Sequence, residues 1–257
     1  LIELSAPTKI EPTIFVWPEG IIPDSYLRDM SGYKNLFLNN FGEDDLIIMG
    51  LNSKETKNDK NLFYNSMAIF NNKLDLIAKY NKVNLVPFGE FTPLESILSL
   101  IGLKTITNSY QSFSSGKTRI PLNVKNSKID LIFLPLICYE IIYSGKLSKD
   151  NSFDYIINIS EDGWFGKSIG PKQHFSHSIF RSIESGKYII RSSNNGVSAI
   201  INPIGIVEQK VEFKSKGYVE LSGSKLVKST PFMQYGNKIF LMLILIYIFL
   251  IFSFNKL

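Results

Sequence analysis

Two long apolar segments, each ending abruptly in polar residues, constrain the fold of this chain most strongly. Residues 129–137 end at Cys138-Tyr139-Glu140, and residues 153–159 end at a polar segment over residues 160–163. Apolar runs of this length, bounded by polar residues, are typical of buried strands. We therefore expect these two strands to present polar side chains at their ends.

The remaining segments alternate between strand and helix patterns. Alternating elements of this kind indicate an α/β layered domain. The strands predicted are residues 13–17, 45–51, 64–70, 74–80, 188–191 and 197–201, with a hairpin turn at residues 71–73 and helical spacing over residues 22–41 and 171–187.

Composition excludes several classes of protein. The chain has 257 residues, 44% of them hydrophobic, which is enough for a real core and argues against disorder. Its net charge of +5 comes from 28 basic and 23 acidic residues that are spread singly along the chain. We interpret this pattern as a solvated surface, with no nucleic acid partner. Since Cys138 is the only cysteine, no intramolecular disulfide forms.

The C-terminal segment is apolar on every face. Residues 239–254 are sixteen residues interrupted only by Tyr247 and Ser253, with Lys238 before them and Lys256 after them. We predict a transmembrane helix here, and the alternative is a buried core helix. Because the composition changes abruptly at residues 230–231, we divide the chain into a globular domain, residues 1–230, and a linker with its membrane anchor, residues 231–257. The first residue is Leu, so we expect the sequence to begin inside a longer protein.

Cys138 is a candidate nucleophile because it follows a buried strand at a predicted sharp turn. A catalytic thiol must be held at an exposed point, which such a turn provides. The alternative is that Cys138 is a small buried apolar residue. The two histidines, His174 and His177, lie three residues apart on a predicted helix, and we interpret them as helix-surface residues. They give no recognised metal-ligand spacing with the single cysteine.

Three polar segments in apolar surroundings offer the partners that a thiol needs. Glu19 follows Trp17-Pro18, Lys82 follows the strand over residues 74–80, and Tyr139 and Glu140 follow Cys138. A carboxylate, an ammonium and a thiol are therefore each placed beside a buried strand. Taken singly, Glu19 could be a residue of a first helical turn and Lys82 a surface charge.

Together these segments resemble the carbon–nitrogen hydrolase (nitrilase) superfamily, and within it the apolipoprotein N-acyltransferase branch. The matching segments, in the order of the family, are Trp17-Pro18-Glu19, residues 80–82 through 91–95, Ile137-Cys138-Tyr139-Glu140, Asp162-Gly163-Trp164-Phe165-Gly166, Gln173-His174 and residues 191–196. The resemblance implies an α-β-β-α sandwich, followed here by one C-terminal transmembrane helix.

The resemblance also implies a role for each candidate residue. Glu19 would be the general base, Cys138 the nucleophile, and Lys82 the cation that stabilises an oxyanion together with the backbone N–H of Tyr139. Glu90 and Glu140 match further acidic positions, where they would orient Lys82 and shape the pocket. The alternative for both is a surface or ion-paired carboxylate.

The activity that the resemblance implies is that of a phospholipid:apolipoprotein N-acyltransferase working through a cysteine thioester, without cofactor or metal. Its partners would be a phospholipid acyl donor, a lipid-modified protein acceptor and the membrane. The catalytic domain would lie on the periplasmic side of a bacterial inner membrane. Residues 91–103 are apolar enough to enter a bilayer beside the site, although an ordinary core helix is an equal alternative.

The sequence departs from the family pattern in two places, and two alternative functions remain to be considered. Glu161 stands where the family usually has Asn, and the family's N-terminal transmembrane helices would all precede Leu1. The first alternative function is a membrane-tethered amidase that uses the same residues on a small amide. The second is a catalytically silent module that binds a lipidated partner, which an intact set of Glu19, Lys82 and Cys138 disfavours.

Overall fold

Two β-sheets lie between helices in the computed structural model of the chain, which describes residues 1–22, 25–93, 112–145, 147–148, 150–224 and 227–254. The first sheet has the order β1-β2-β3-β4, where β1 and β2 are parallel and the other neighbours are antiparallel. Its strands are β1 (Ile14–Val16), β2 (Leu46–Lys57), β3 (Lys60–Asn71) and β4 (Leu76–Asn81).

The second sheet has six strands in the order β10-β9-β8-β7-β6-β5. Strands β6, β7 and β8 are parallel, so their carboxyl ends meet at one edge of the sheet. The strands are β5 (Leu122–Lys125), β6 (Asp130–Ile137), β7 (Tyr155–Glu161), β8 (Tyr188–Asn194), β9 (Ser198–Ile201) and β10 (Val207–Val211). The predicted strands over residues 129–137 and 153–159 are therefore the neighbours β6 and β7.

Helices cover the outer faces of both sheets. The first sheet is covered by a 3₁₀ helix (Leu27–Tyr33) and α2 (Lys34–Asn40), and the second by α3 (Gly170–Ser185). The other described helices are α1 (Ile2–Ser5), α4 (Pro231–Tyr235) and the C-terminal α5 (Lys238–Phe254).

Successive side chains of a central strand point alternately into the core between the two sheets and into the core under a helical layer. This explains why these strands are apolar on both faces. On β2, Leu46 and Ile48 point between the sheets and meet Ile137 and Ile157 of the second sheet. The intervening Ile47 packs under the helical layer. Because both faces of the central strands are buried, their sequences read as continuous apolar runs. This arrangement is the α-β-β-α sandwich that the resemblance implies.

Strands β5 and β10 were not predicted from the sequence, and the structure also differs from the expectation in the first sheet and its helices. Helical spacing over residues 22–41 predicts one helix, whereas the chain forms a 3₁₀ helix followed by the seven-residue α2. The two stretches nevertheless bury Met30 and Phe37 on the same sheet face. Strands β2 and β3 also run further than predicted, because their hydrogen-bonded ladder continues through exposed polar residues to a turn at Asn58 and Asp59.

At the C-terminus, α5 buries none of its residues against the rest of the chain. Within the described ranges, no helix combines the length and the apolar character needed to cross a membrane.

Candidate active site

Lys82 lies at the centre of a buried charged cluster between the two sheets. It follows β4, and its Nζ atom is 2.9 Å from Glu90 Oε1 and 3.5 Å from Glu19 Oε1. The residue is only 1% exposed, so the alternative that Lys82 is a surface charge is wrong. Burial alone would lower the pKa of Lys82, but the charges of Glu19, Cys138 and Glu90 outweigh burial and raise it. Lys82 is therefore an ammonium.

Cys138 terminates β6 at a sharp turn and lies within electrostatic reach of Glu19 and Lys82. Its φ of 47° is in the left-handed region, which a non-glycine residue adopts only when the surroundings hold it there. Burial and the Glu19 carboxylate raise the pKa of Cys138 to about 12, against the opposing effects of Lys82 and the Ser160 hydroxyl. The resting group is a thiol, so attack on a carbonyl requires a base to remove its proton.

Glu19 is oriented by contacts from both sheets. Its Oε1 accepts a hydrogen bond from the Asn65 amide at 2.6 Å, and its Oε2 accepts one from the backbone N–H of Glu161 at 2.8 Å. The backbone of Glu19 also packs directly on Gly50, where an added Cβ would lie 2.5 Å from Glu19 Cα. Glycine at position 50 is what allows the carboxylate to come so close to the sheet.

Glu90 reaches Lys82 from the loop that follows β4. Its Oε1 accepts from Lys82 and, at 2.8 Å, from the Asn65 amide, while its Oε2 accepts from the backbone N–H of Val86 at 2.8 Å. Two carboxylates, Glu19 and Glu90, therefore share one ammonium. This matches the orienting role that the resemblance implies for Glu90, and it makes the residue an ion-paired carboxylate rather than a surface one.

Glu140 is fully buried and joins the segment after Lys82 to the turn at Cys138. Its Oε2 accepts from the backbone N–H of Ile137, the residue before Cys138, at 2.9 Å. Its Oε1 accepts from Tyr80 Oη (2.7 Å), the backbone N–H groups of Val83 (2.9 Å) and Asn84 (3.0 Å), and the Arg119 guanidinium (3.0 Å). One carboxylate thus holds the segment after Lys82 and the turn at Cys138 together.

Tyr139 lies in the first turn of the 3₁₀ helix Cys138–Ile142. Backbone N–H groups in a first turn have no partner within the helix, so the N–H of Tyr139 is suited to bind an oxyanion formed beside Cys138. The ring of Tyr139 packs edge-on against Tyr143, with ring centroids 5.6 Å apart.

A second buried network, made of His174, Asp162 and Arg191, contacts the backbone carbonyl of Cys138. His174 Nε2 is 3.1 Å from the carbonyl oxygen of Cys138, and His174 Nδ1 is 2.8 Å from Asp162 Oδ1. Arg191 donates to both oxygens of Asp162, and together with His174 it keeps the pKa of Asp162 low despite burial. The interpretation of His174 as a helix-surface residue is wrong, because the side chain lies on the buried face of α3 and contacts the backbone of Cys138.

Glu161 forms hydrogen bonds in the place where the family usually has Asn. Its carboxylate accepts from the backbone N–H of Gly163 at 2.7 Å, and from the side-chain amides of Asn194 and Asn195. The side chain therefore ties the end of β7 to the end of β8. Since its backbone N–H contacts Glu19, this tie also fixes the position of the general-base candidate.

Sequence reasoning missed three parts of this cluster: Asn65, Arg119 and the Asp162–His174 contact. For Asn65 a signal was present, since Asn65 and Ser66 are polar residues inside the otherwise apolar segment over residues 64–70. For Arg119 we find none in the sequence. Across the described residues, no cluster of three or more His, Cys, Asp or Glu side chains could hold a metal ion. Of the predicted arm over residues 91–103, residues 94–103 lie outside the described residues.

Comparison with known proteins gives the family. The sequence profile described as carbon–nitrogen hydrolase matches residues 44–222, which is more than half of the chain. Among curated relatives, the apolipoprotein N-acyltransferase of Caulobacter vibrioides is 31% identical over 241 residues, covering 91% of this chain and 45% of that protein. That of Rickettsia typhi is 34% identical over 244 residues, covering 92% and 47%. The chain therefore spans about half the length of the curated relatives it matches.

Solved structures agree with the fold. A Cys-to-Ala mutant of the amidase from Nesterenkonia sp. AN1, described as a member of the nitrilase superfamily, superposes with a TM-score of 0.52 at 12% identity, covering 79% of this chain and 74% of that chain. At this identity the likeness is evidence of the fold alone. From the matched profile and the nitrilase-like sandwich, we conclude that the chain belongs to the carbon–nitrogen hydrolase family.

Proposed function

We propose that this chain is the catalytic part of a phospholipid:apolipoprotein N-acyltransferase, with Cys138 as nucleophile, Glu19 as general base and Lys82 as the oxyanion-stabilising cation. The observation that carries the proposal is the buried Lys82 ammonium, which lies between two carboxylates and within electrostatic reach of Cys138. Relatives that match nine-tenths of the chain bear the name apolipoprotein N-acyltransferase.

The first half-reaction transfers an acyl group to the enzyme. Glu19 removes the thiol proton as Cys138 Sγ attacks the ester carbonyl of the phospholipid. Lys82 and the backbone N–H of Tyr139 stabilise the negative oxygen of the tetrahedral intermediate. The intermediate collapses when the C–O bond of the ester breaks, and the protonated Glu19 gives its proton to the departing alkoxide. The products are a thioester on Cys138 and a lysophospholipid.

The second half-reaction transfers the acyl group to the acceptor. The α-amine of a diacylglyceryl-cysteine lipoprotein attacks the thioester carbonyl, and Glu19 takes a proton from the amine nitrogen. The same two groups, Lys82 and the Tyr139 N–H, bind the oxyanion. Breakage of the C–S bond leaves an amide on the acceptor, and the sulfur recovers a proton from Glu19. Because the acyl group stays bound to Cys138 after the lysophospholipid leaves and before the acceptor binds, the kinetics are ping-pong.

The substrates place the reaction at a membrane surface. We propose that residues 1–230 form the catalytic domain on the periplasmic side of a bacterial inner membrane, and that residues 231–257 form a linker and a transmembrane anchor. The support for the anchor is α5, whose apolar side chains are exposed over its whole length. An exposed apolar surface that extends along a whole helix is typical of a site that contacts lipid or another protein.

Trapping of the acyl-enzyme tests this proposal. Purified protein in detergent, given a phospholipid with a radiolabelled acyl chain and no acceptor, is expected to carry label on Cys138 that hydroxylamine removes. The Cys138→Ala variant is the matched control and should carry none. Protein that stays unlabelled but hydrolyses a small soluble amide would instead support the amidase alternative.

A further inference from the structure

Asn65 lies between the two carboxylates that share Lys82. Its side-chain Nδ2 donates to Glu19 Oε1 at 2.6 Å and to Glu90 Oε1 at 2.8 Å, and the residue is 8% exposed. The orientation of the amide follows from its partners, since carboxylate oxygens accept hydrogen bonds and do not donate them. Both side-chain N–H groups of Asn65 are therefore directed at the two acidic groups of the site.

The contacts of Lys82 are unequal in a way that Asn65 explains. The ammonium is 2.9 Å from Glu90 but 3.5 Å from Glu19, whose closest partner is the Asn65 amide. A single cation does not compensate two buried carboxylates, and an additional N–H donor stabilises the charged form of a carboxylate. An uncharged amide supplies that donor without a second cation.

We propose that Asn65 is a positioning residue that holds the Glu19 carboxylate beside Cys138, while Glu90 holds the ammonium of Lys82. This inference rests on the catalytic roles proposed above for Glu19, Lys82 and Cys138. Asn65 acts through Glu19 and does not itself touch the reacting atoms.

Two features allow the side chain of Asn65 to be tested separately from the strand that carries it. The backbone carbonyl of Asn65 accepts from the backbone N–H of Lys82 at 2.9 Å, and a side-chain substitution leaves this bond in place. Asn61, four residues earlier on β3, is exposed and distant from the charged cluster, so Asn61→Ala is a matched control.

The groups that face Glu19 come from four segments. Lys82 follows β4, Glu90 lies on the loop after it, Cys138 follows β6, and the backbone N–H of Glu161 lies at the end of β7. Asn65, on β3, is a neutral residue whose side chain contacts both acids, so its replacement removes a hydrogen-bond donor from each without deleting a charge.

The test is the rate at which iodoacetamide alkylates Cys138 in the purified protein, measured at one fixed pH by mass spectrometry of the Cys138 peptide. The thiol reacts once its proton is removed, so the rate reports how well Glu19 is held beside Cys138. In Asn65→Ala the rate should fall by about tenfold, because the Glu19 carboxylate loses the N–H donor that orients it. Asn61→Ala should leave the rate unchanged.

Asn65→Asp separates the donor role from a packing role. Aspartate has the shape of asparagine but replaces the N–H donor by a carboxylate, so the alkylation rate should fall at least as far as in Asn65→Ala. If the residue only filled space, the Asp variant would instead react like the unmodified protein, and that result would overturn the proposal. Thermal unfolding shows whether each variant folds. Should Asn65→Asp fail to fold, Asn65→Leu, which is similar in size and has no donor, must show the slower alkylation.

The assay contains no acyl donor, so its outcome is separable from that of the proposed function. Unchanged alkylation rates in both Asn65 variants of an active acyltransferase would refute the role of Asn65 alone. Slower alkylation of the Asn65 variants in a protein that never forms an acyl-enzyme would retain the role of Asn65 and refute the acyltransferase proposal.

Discussion

The substitution Glu140→Gln tests whether one buried carboxylate joins the two halves of the site. The carboxylate is fully buried and accepts hydrogen bonds from the backbone of Ile137 and, through its other oxygen, from the Arg119 guanidinium. Burial alone would lower the pKa of Arg119, but the contacts of its guanidinium, above all with the charged Glu140, outweigh burial and raise it. Glutamine keeps the shape of the side chain but removes its charge.

The expected loss follows from these contacts. With the amide oxygen toward Arg119, the amide NH₂ faces the N–H of Ile137, and an unsatisfied buried donor costs about 1–3 kcal/mol. Removal of one partner from a buried ion pair costs about 3–5 kcal/mol. Because the two effects involve the same side chain, they do not add fully, and we expect a total of about 3–5 kcal/mol in the free energy of unfolding.

Urea unfolding of the detergent-purified protein at neutral pH measures this loss. Glu55→Gln is the matched control, since Glu55 forms a 2.7 Å pair with Lys79 on the surface. A surface pair of this kind contributes about 0–1 kcal/mol. If Glu140→Gln cost no more than Glu55→Gln, the reasoning that Glu140 anchors the site would be refuted.

Three further substitutions follow from the geometry. Gly50→Ala puts a Cβ 2.5 Å from the Cα of Glu19, so we expect Glu19 to be displaced. The rate of acyl-enzyme formation should fall by about 10²-fold, and the thermal unfolding midpoint should fall as well. An unaffected rate would contradict the tight packing. His174→Ala removes the contact to the Cys138 carbonyl and should slow alkylation of Cys138 by about ten- to hundredfold in a protein that still folds. Equal rates would mean that the turn at Cys138 keeps its conformation without His174. Burial raises the pKa of the Cys138 thiol to about 12 in the folded protein, from the ordinary value of 9.0 that holds in the unfolded chain. Above pH 9.0 the native state therefore binds more protons than the unfolded state. The free energy of unfolding, relative to that of Cys138→Ala, should then fall by about 1.4 kcal/mol per pH unit, which unfolding at about pH 8 and about pH 10 measures. A difference independent of pH would refute the raised pKa.

The fold could be predicted because the sequence marks its central strands locally. Cys138 and Glu19 follow short apolar segments, against which a polar residue is conspicuous. Lys82 follows the mixed strand β4, whose sequence gives a weaker signal. Two-sided burial of β6 and β7 left continuous apolar runs, which identified the central strands. The resemblance to the family then connected the three positions.

The supporting contacts could not be predicted because they join segments that are distant in the sequence. Asn65 meets Glu19 across 46 positions, and His174 meets Cys138 across 36. Hydrophobic periodicity reports which face of a strand is buried, but not which residue of the opposite sheet it meets.

The orientation of α3 misled the sequence analysis for a different reason. The helix buries His174, Ser178 and Ser182, while Phe180 and Ile183 on the opposite side are 55% and 46% exposed. Its buried face is polar because it packs against the hydrogen-bonded network behind the nucleophile. A pattern that assigns apolar side chains to the core therefore places His174 on the wrong side of this helix.

The most direct test of the central claim is a chase of the acyl-enzyme. Protein labelled from a radioactive phospholipid is separated from the donor and then mixed with a synthetic diacylglyceryl-cysteine peptide that has a free α-amine. We predict that the label leaves Cys138 and appears on the peptide as a hydroxylamine-resistant amide, without further phospholipid. Label that stays on the protein, or that is released only as free fatty acid, would contradict acyl transfer through Cys138.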